Sequence, residues 1–406
     1  MAIPVDYLPR HLDLTLQSAL TGAPVLVLDG PRGVGKTTSA RRLARSVIML
    51  PRDLDQLRAD AEGYLRALPA PVLVDEWQLA GTDLLWTIKR IVDDDPAPGR
   101  FILTGSVEPA AYGPTYPLTG RGARYVMRPM TRAELAGRGG ETTLVQSLVA
   151  GNEWVASAGA PSAFDLDWLA QPGFPAARQL PDPTFFLDAY AAVVAQRGGE
   201  EGRDASRVLR TLRVLATLTG QAVPDQRVWE AADINKVTWK HYDDLLLRAH
   251  LSVPTPAFSS NRLARLTAYP KRFLADTAMA LALSDLAVSD LRANHSVAGR
   301  YLESFVMQQL RPQVDLVRGA LLHLRTSAGE REVDAVVETA AGLVGIEVKL
   351  GTHPGPADAR TLEWLRDQQG ERFLLGLVVH SGRDSYPLGE RLWAVPIAAL
   401  TQPVHR

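Results

Sequence analysis

The sequence predicts an α/β fold for the first third of the chain, with a parallel sheet covered by helices on both faces. Apolar runs typical of buried strands recur at 24–28, 46–50, 71–75, 100–105 and 124–129. Helical patterns fill the intervals at 37–45, 53–68 and 82–92. Because a parallel connection needs a crossover, which is usually a helix, this alternation favours a parallel sheet over an antiparallel one.

A glycine-rich loop follows the first predicted strand and carries the strongest functional signal. Residues 30–37 read Gly-Pro-Arg-Gly-Val-Gly-Lys-Thr, the full G-x-x-x-x-G-K-T pattern between a strand and a helix. Inward-facing amides and the positive end of the helix dipole would bind phosphate there, with Lys36 on the β- and γ-phosphates and Thr37 on Mg²⁺. The predicted nucleotide-binding residues are Gly30, Pro31, Arg32, Gly33, Val34, Gly35, Lys36, Thr37 and Thr38. The alternative is an ordinary turn.

Two acidic residues end the third predicted strand. Asp75 and Glu76 follow the apolar run 71–74 at its carboxyl end, where ligands gather in open α/β sheets. We expect Asp75 to hold Mg²⁺, directly or through water, and Glu76 to orient or deprotonate the attacking water. A strand ending in a solvated acidic turn is the alternative.

Three further polar residues are candidates for the same site. Ser106 follows the fourth predicted strand and is the first candidate for contact with the γ-phosphate or the attacking water, with Thr104 second. Arg121 lies in a glycine-flanked loop and is a candidate arginine finger, acting within its own chain or on a neighbouring copy. The alternatives are a simple turn after the strand and a surface arginine.

Length and composition limit the protein classes. A chain of 406 residues with a formal net charge of −1 indicates several domains and no global basic field for nucleic acid. The absence of cysteine excludes disulfides, thiolate catalysis and cysteine-bound zinc. No apolar stretch reaches the about 18–20 residues of a membrane span, and no secretory signal is visible at the N-terminus. We therefore expect a cytoplasmic protein without a membrane partner.

The remaining sequence divides the chain into four predicted domains, at 1–135, 136–202, 203–295 and 296–406. The second is a helical lid or connector. In the third, two short helices across a tight turn at 233–235 indicate a helix-turn-helix. Residues predicted to face DNA are Lys236, Thr238, Trp239, Lys240 and His241. A helical domain for packing or partner contact is the alternative.

The last domain carries a second group of candidate catalytic residues. Its pattern is a helix at 300–310, strands at 321–325, 331–338 and 343–350, a helix at 358–369 and a strand at 373–379. Glu347 and Lys349 lie two apart on a strand and so share a face, and Asp334 lies on the preceding strand. Asp334 and Glu347 would hold a metal ion with Glu303 as a further ligand, and Lys349 would stabilise charge or activate water. The alternative is a charged solvent face.

These motifs together resemble a known prokaryotic group. The order Gly30–Thr37, Val74-Asp75-Glu76, Leu103–Ser106 and Leu118–Arg121 is similar to that of AAA+ ATPases. The runs at 303–306, 332–334 and 346–349 resemble proteins that join such a module to a C-terminal domain of unknown function with a restriction-endonuclease-like core. Here Val333 stands where that nuclease pattern has proline.

The resemblance implies an AAA+ ATPase domain, a winged helix and a PD-(D/E)xK-like α/β domain, with ATP and Mg²⁺ as cofactors. It also implies a homo-oligomer, in which Arg121 would serve a neighbouring copy. One hypothesis is a Mg²⁺-dependent ATPase that couples turnover to binding or cleavage of DNA or RNA. The other is a nucleotide-dependent switch that binds a protein or DNA partner and has an inactive C-terminal domain.

Overall fold

A computed structural model describes residues 7–105, 117–151, 164–200, 202–259, 265, 268–326 and 331–401. The chain forms two compact units, which are described separately below. The first unit is Met1–Pro129 with Arg248–His250, and the second is Met130–Leu247 with Leu251–Arg406. Within the described ranges, no helix combines the length and apolar character needed to cross a membrane. The finer division into four domains remains a prediction.

The first unit is built on a five-stranded sheet in which every pair of neighbouring strands is parallel. Its strands are β1 (Val25–Asp29), β2 (Ser46–Met49), β3 (Val72–Asp75), β4 (Phe101–Thr104) and β5 (Gly122–Val126). The spatial order is β2-β3-β4-β1-β5, so β4 lies between the strand that precedes the glycine-rich loop and the strand that ends in Asp75. The predicted parallel sheet is confirmed.

In the part of this unit that the structure describes, four helices cover the sheet: α1 (Asp13–Gly22), α2 (Lys36–Arg41), α3 (Leu54–Ala67) and α4 (Thr82–Asp94). Alternate residues of the strands enter two separate apolar clusters, because successive side chains of a strand point to opposite faces. One cluster contains Val25, Val27, Val72 and Val74 with Ile88 and Ile91 of α4. The other contains Leu26, Leu28, Leu73 and Ile102 with Leu16 of α1 and Ala40 of α2. Because both faces of the sheet are buried, the polar residues of β1, β3 and β4 lie at the strand ends.

The second unit begins with a helical region. Its helices are α5 (Arg132–Leu135), α6 (Leu144–Val149), α7 (Pro183–Glu200), α8 (Ala205–Thr217), α9 (Asp225–Ala231), α10 (Lys236–Arg248), α11 (Thr277–Leu283) and α12 (Val288–Ala293). A short strand after α8, β6 (Gln221–Ala222), pairs antiparallel with β7 (Lys271–Arg272). The Asn235 side chain accepts a hydrogen bond from the backbone N–H of Thr238 at 2.8 Å and begins α10.

One predicted DNA-facing residue is placed differently. Trp239 of α10 is buried, as are Tyr242, Leu245 and Leu246, which recur at helical spacing along the same face. The prediction that Trp239 faces DNA was therefore wrong, because it belongs to the apolar stripe of its helix. Lys236, Lys240 and His241 are exposed.

The C-terminal part of the second unit is a six-stranded mixed sheet. Its elements are α13 (His295–Leu316), β8 (Ala320–Arg325), β9 (Glu332–Glu338), β10 (Leu343–Lys349), α14 (Arg360–Gln369), β11 (Phe373–His380), β12 (Tyr386–Gly389) and β13 (Leu392–Pro396). The order is β12-β13-β11-β10-β9-β8. Strands β8 to β10 are antiparallel, whereas β10, β11 and β13 run parallel. The predicted succession of helix, three strands, helix and strand is confirmed.

Candidate functional site

The glycine-rich loop connects β1 to α2 at the carboxyl edge of the first unit's sheet. Gly30 has φ 139°, Gly33 φ 74° and Gly35 φ 102°, all in a region that favours glycine. At Gly30 a Cβ atom would lie 2.2 Å from the carbonyl oxygen of Met127, so the neighbouring backbone leaves no room for a side chain. The sequence therefore needs its glycines here to form this loop conformation.

Lys36 begins α2 and turns back over the loop. Its side chain is only 6% exposed, and its Nζ donates to the carbonyl oxygens of Gly30 and Pro31, each at 2.8 Å. Burial lowers the pKa of Lys36 to about 8, although the nearby carboxylate of Glu76 opposes the shift. A phosphate arriving in this loop would meet a desolvated amine that is held in place by the loop itself.

A buried arginine outside the motif supports the loop, and sequence reasoning missed it. Arg10 donates from one guanidinium nitrogen to the carbonyl oxygen of Val34 at 2.8 Å and from the other to that of Arg128 at 2.6 Å. It thereby ties the middle of the loop to the chain after β5. No local pattern marks Arg10, because its partners are 24 and 118 residues away in the sequence.

Asp75, at the carboxyl end of β3, accepts hydrogen bonds from two threonines. The Thr37 hydroxyl donates to Asp75 Oδ1 at 2.8 Å, and the buried Thr104 hydroxyl donates to the same oxygen. Asp75 of β3 and Thr104 of β4 are register partners in adjacent parallel strands, which places the two side chains together. Ser106, the first candidate from the sequence, lies outside the described residues. Among the described residues, Thr104 is the hydroxyl at the end of β4 that contacts the acid.

Glu76 follows directly and has an unusual backbone. Its φ of 54° and ψ of 43° lie in the left-handed region, which costs a residue with a side chain about 1–3 kcal/mol. Its carboxylate accepts a hydrogen bond from the side-chain amide of Gln78. Gln78 was not singled out from the sequence. Its contact with Glu76 holds the acid beside the electropositive loop, where Glu76 acts on Lys36 through its charge.

Arg121 lies at the other end of the strands, where β1 and β5 begin, whereas the glycine-rich loop lies at their carboxyl ends. Gly122 at the start of β5 pairs with Val25 at the start of β1, whereas the glycine-rich loop follows the end of β1. At about 3.3 Å per residue, the five residues of β1 separate these edges by roughly 16 Å. The Arg121 guanidinium pairs with Asp93 and, with Lys89, lowers the pKa of that carboxyl to about 2. A finger role within its own chain was therefore wrong, because this position is too far from the loop.

In the second unit, a buried lysine lies among the predicted metal ligands. Lys271 of β7 is 1% exposed, and its Nζ lies 2.7 Å from Glu303 of α13, 2.7 Å from Glu332 and 3.1 Å from Asp334 of β9. We call these four residues the Lys271 cluster. Burial alone would lower the pKa of Lys271, but the surrounding carboxylates raise it above its ordinary value. The ammonium group is therefore kept charged.

The other predicted residues of this site lie on β10 beside the cluster. The second oxygen of Asp334 accepts from the backbone N–H of Val348 at 2.9 Å. Lys349 pairs with Glu347 at 2.9 Å, as expected for two side chains on one face. Burial, with the charge of Asp334, raises the pKa of Glu347 to about 7. Burial likewise raises the pKa of Glu303 well above its ordinary value.

The two sets of oxygen ligands differ in their fit to a metal ion. Thr37 and Asp75 offer a hydroxyl and a carboxylate side by side, which are the hard oxygen ligands that Mg²⁺ prefers. In the Lys271 cluster, an ammonium group lies between the carboxylates that the sequence assigned to a metal ion. Among the described residues, no three His, Asp or Glu side chains form a metal-holding group.

Comparisons with known families agree with the first of these sites. A model of the AAA domain family matches residues 22–136. Two domains of unknown function, DUF8612 and DUF4143, match residues 173–290 and 298–400. Residues 22–136, which include the glycine-rich loop and Asp75, are therefore similar to an AAA domain. The match at 298–400 states no activity, and the nuclease-like interpretation remains a prediction.

Two relatives that match along most of the chain carry the name uncharacterized protein. One from Mycobacterium tuberculosis and one from Mycobacterium bovis are each 27% identical over 400 residues, which are 95% of this chain and 83% of the relative. Among solved structures, the Walker-type ATPase PABY2304 of Pyrococcus abyssi is 16% identical, with a TM-score of 0.40, and the match covers 68% of this chain and 99% of that chain.

Proposed function

We propose that the first unit hydrolyses ATP in a Mg²⁺-dependent reaction at the carboxyl edge of its sheet. The observation that carries this proposal is the convergence of Thr37 and Thr104 on one oxygen of Asp75, beside the buried Lys36. A simple strand–turn–helix would need none of these contacts. The direct test is phosphate release from ATP by the purified chain with Mg²⁺, and its loss when EDTA is added.

The chain's own residues have separate roles in this reaction. Lys36 and the loop amides bind the β- and γ-phosphates and offset their charge. Thr37 and Asp75 would supply oxygen ligands to Mg²⁺. Mg²⁺, when bound, neutralises charge that develops on the phosphate oxygens. Glu76 accepts a proton from the water whose oxygen forms a bond to the γ-phosphorus, as the bond from phosphorus to the β–γ bridging oxygen breaks and ADP leaves.

Thr104 is proposed as a positioning residue for Asp75. Replacing Thr104 with valine keeps the shape but removes the hydroxyl donor, so Asp75 loses one of the contacts that orient it. We expect Thr104→Val to raise the Mg²⁺ concentration for half-maximal ATPase activity by about 10–100-fold, as for other residues that orient metal ligands. Thr104→Ser should recover most of the wild-type Mg²⁺ dependence. Equal Mg²⁺ dependence in Thr104→Val and wild type would remove Thr104 from the site.

Burial of Lys36 predicts a pH dependence of ATP binding. The pKa of Lys36 is about 8 in the free protein, and bound phosphates should raise it. Below pH 8 the lysine is already charged. Above pH 8 it is mostly neutral in the free protein and must take up a proton when ATP binds. We therefore expect ATP affinity to fall by up to about tenfold per pH unit above 8. Titration calorimetry at pH 8.5 in buffers of different ionisation enthalpy should detect proton uptake, and affinity independent of pH from 7 to 9.5 would contradict the assignment.

Arg121 is proposed to act on the nucleotide of a neighbouring copy, since its own chain's loop is out of reach. In that case Arg121→Ala and Glu76→Gln are each inactive alone. In a mixture, the intact Glu76 site of an Arg121→Ala chain can face the intact Arg121 of a Glu76→Gln chain. We expect the mixture to regain measurable ATPase activity. If Arg121→Ala alone keeps full turnover, the guanidinium acts only on Asp93, with which it pairs. The finger role is then excluded.

A second proposed function is nucleic-acid binding by the helical part of the second unit. The order α8, β6, α9, α10 and β7 is compatible with a winged helix, and α10 exposes Lys236, Lys240 and His241 opposite its buried stripe. Lys236→Ala/Lys240→Ala should weaken DNA or RNA binding and reduce its salt dependence. The control is Lys89→Ala in the first unit, which should leave binding unchanged. Equal binding by the double variant and wild type would contradict this role.

The C-terminal sheet is proposed to act as a binding module that does not cleave nucleic acid. The alternative, metal-dependent cleavage by Asp334, Glu347 and Lys349, needs carboxylates that are free to hold a metal ion. The Lys271 contacts favour the binding module. Labelled DNA and RNA incubated with Mg²⁺ or Mn²⁺, with and without ATP, distinguish the two. Cleavage that is lost in Asp334→Ala would restore the nuclease hypothesis.

A further inference from the structure

Lys271 comes from outside the sheet and the helix that carry the acids. It lies on β7, which pairs with β6, whereas Glu332 and Asp334 lie on β9 and Glu303 on α13. Two backbone hydrogen bonds hold it there. The N–H of Lys271 donates to the carbonyl oxygen of Thr255 at 3.0 Å, and the N–H of Thr255 donates to the carbonyl oxygen of Lys271 at 2.8 Å. The ammonium group is thus delivered by a fixed strand rather than by a mobile surface loop.

This ammonium group is surrounded by carboxylates. Its Nζ donates to Glu303 at 2.7 Å and to Asp334 at 3.1 Å, and a carboxylate oxygen of Glu332 lies 2.7 Å away. A divalent ion needs about six oxygen ligands at 2.0–2.6 Å, several of them usually water. The position between Glu303 and Asp334 that such an ion would need is therefore occupied by the ammonium group.

We infer that Lys271 is the built-in cation of this site and takes the place of a divalent metal ion between Glu303 and Asp334. The carboxylates form a latent metal site, which opens only when the ammonium group is removed. This inference deepens the proposal that the C-terminal module does not cleave nucleic acid. It does not depend on ATP hydrolysis, which uses residues of the first unit.

The test is Mn²⁺ binding to the intact chain without nucleotide, measured by calorimetry and by thermal melting. Lys271→Met keeps the length of the side chain and removes its charge. We expect this variant to bind Mn²⁺ at least about tenfold more tightly than wild type, because a positive charge a few ångströms from the metal position is lost. Lys271→Met/Asp334→Asn should lose the gain. Arg265→Met, which removes a cation paired with Glu338 at 2.6 Å, should not produce it.

Each outcome decides the inference. A gain in affinity that requires Asp334 supports it, as does Mn²⁺-dependent refolding of Lys271→Met if that variant is unfolded without metal. Equal Mn²⁺ affinity in wild type and Lys271→Met overturns it, and so does tight binding by wild type that disappears in Asp334→Asn. ATPase activity measured on the same samples reports separately on the first unit, so failure of one proposal is distinguishable from failure of the other.

Discussion

Glu76→Gln should abolish most ATP turnover while leaving ATP binding intact. The amide keeps the size of the side chain and its contact with Gln78, but it cannot accept the proton of the attacking water. A general base contributes about 10²–10⁴-fold to a rate, so we expect the turnover number to fall by that factor. Because Glu76 acts on water rather than on the phosphates, the dissociation constant for ATP should change little. Phosphate release at saturating Mg²⁺-ATP and binding of a fluorescent ATP analogue measure the two quantities.

Two variants make this result specific. Lys36→Ala should weaken ATP binding itself, since it removes the ammonium group that faces the phosphates. Glu62→Gln changes an exposed carboxylate of α3 that pairs with Arg66 and Arg90, and it should keep wild-type turnover and affinity. Turnover in Glu76→Gln equal to that of wild type would refute the role of Glu76.

Lys271→Met should produce a large loss of stability in the second unit. Removing one partner of a buried ion pair leaves uncompensated charge, which costs about 3–5 kcal/mol. Here the lost cation faces three carboxylates, and the protonation of one of them offsets part of that cost. We expect the free energy of unfolding to fall by about this amount, measured by urea denaturation without metal ions. The cause is electrostatic, because methionine fills nearly the same volume.

Charge-balanced and exposed controls separate this cause from a general loss of packing. Lys271→Met/Glu303→Gln removes a carboxylate together with the cation and should recover part of the lost stability. Arg292→Met breaks exposed pairs with Asp165 and Asp167 and should cost no more than about 1 kcal/mol. If Lys271→Met unfolds at the same urea concentration as wild type, the Lys271 cluster contributes no net stability.

The arrangement of the candidate nucleotide site could be predicted largely from the sequence because its signals are local. The glycines, Lys36 and Thr37 are consecutive, and Asp75 and Glu76 end a recognisable apolar run. Thr104 was the second candidate for this site, but its contact with Asp75 could not be predicted, because it depends on the register between β3 and β4, which long-range packing sets. Arg10 and Gln78 gave no signal, since a lone polar residue is normally exposed.

The Lys271 cluster shows the same limit in the second unit. Spacing on β10 predicted that Glu347 and Lys349 share a face, and the order of elements placed Asp334 nearby. Nothing local predicted that a lysine 63 positions before Asp334 would be buried against it. For Trp239 the signal was present: its spacing to Tyr242, Leu245 and Leu246 marks the buried face of an amphipathic helix.

Titration calorimetry of the intact, folded chain with ATP in the presence of Mg²⁺ tests the central claim most directly. The contacts of Lys36, Thr37 and Asp75 predict that one ATP binds per chain with a dissociation constant well below millimolar, and that Lys36→Ala loses this binding. No heat of binding up to millimolar ATP, in protein whose folding is verified, would contradict it.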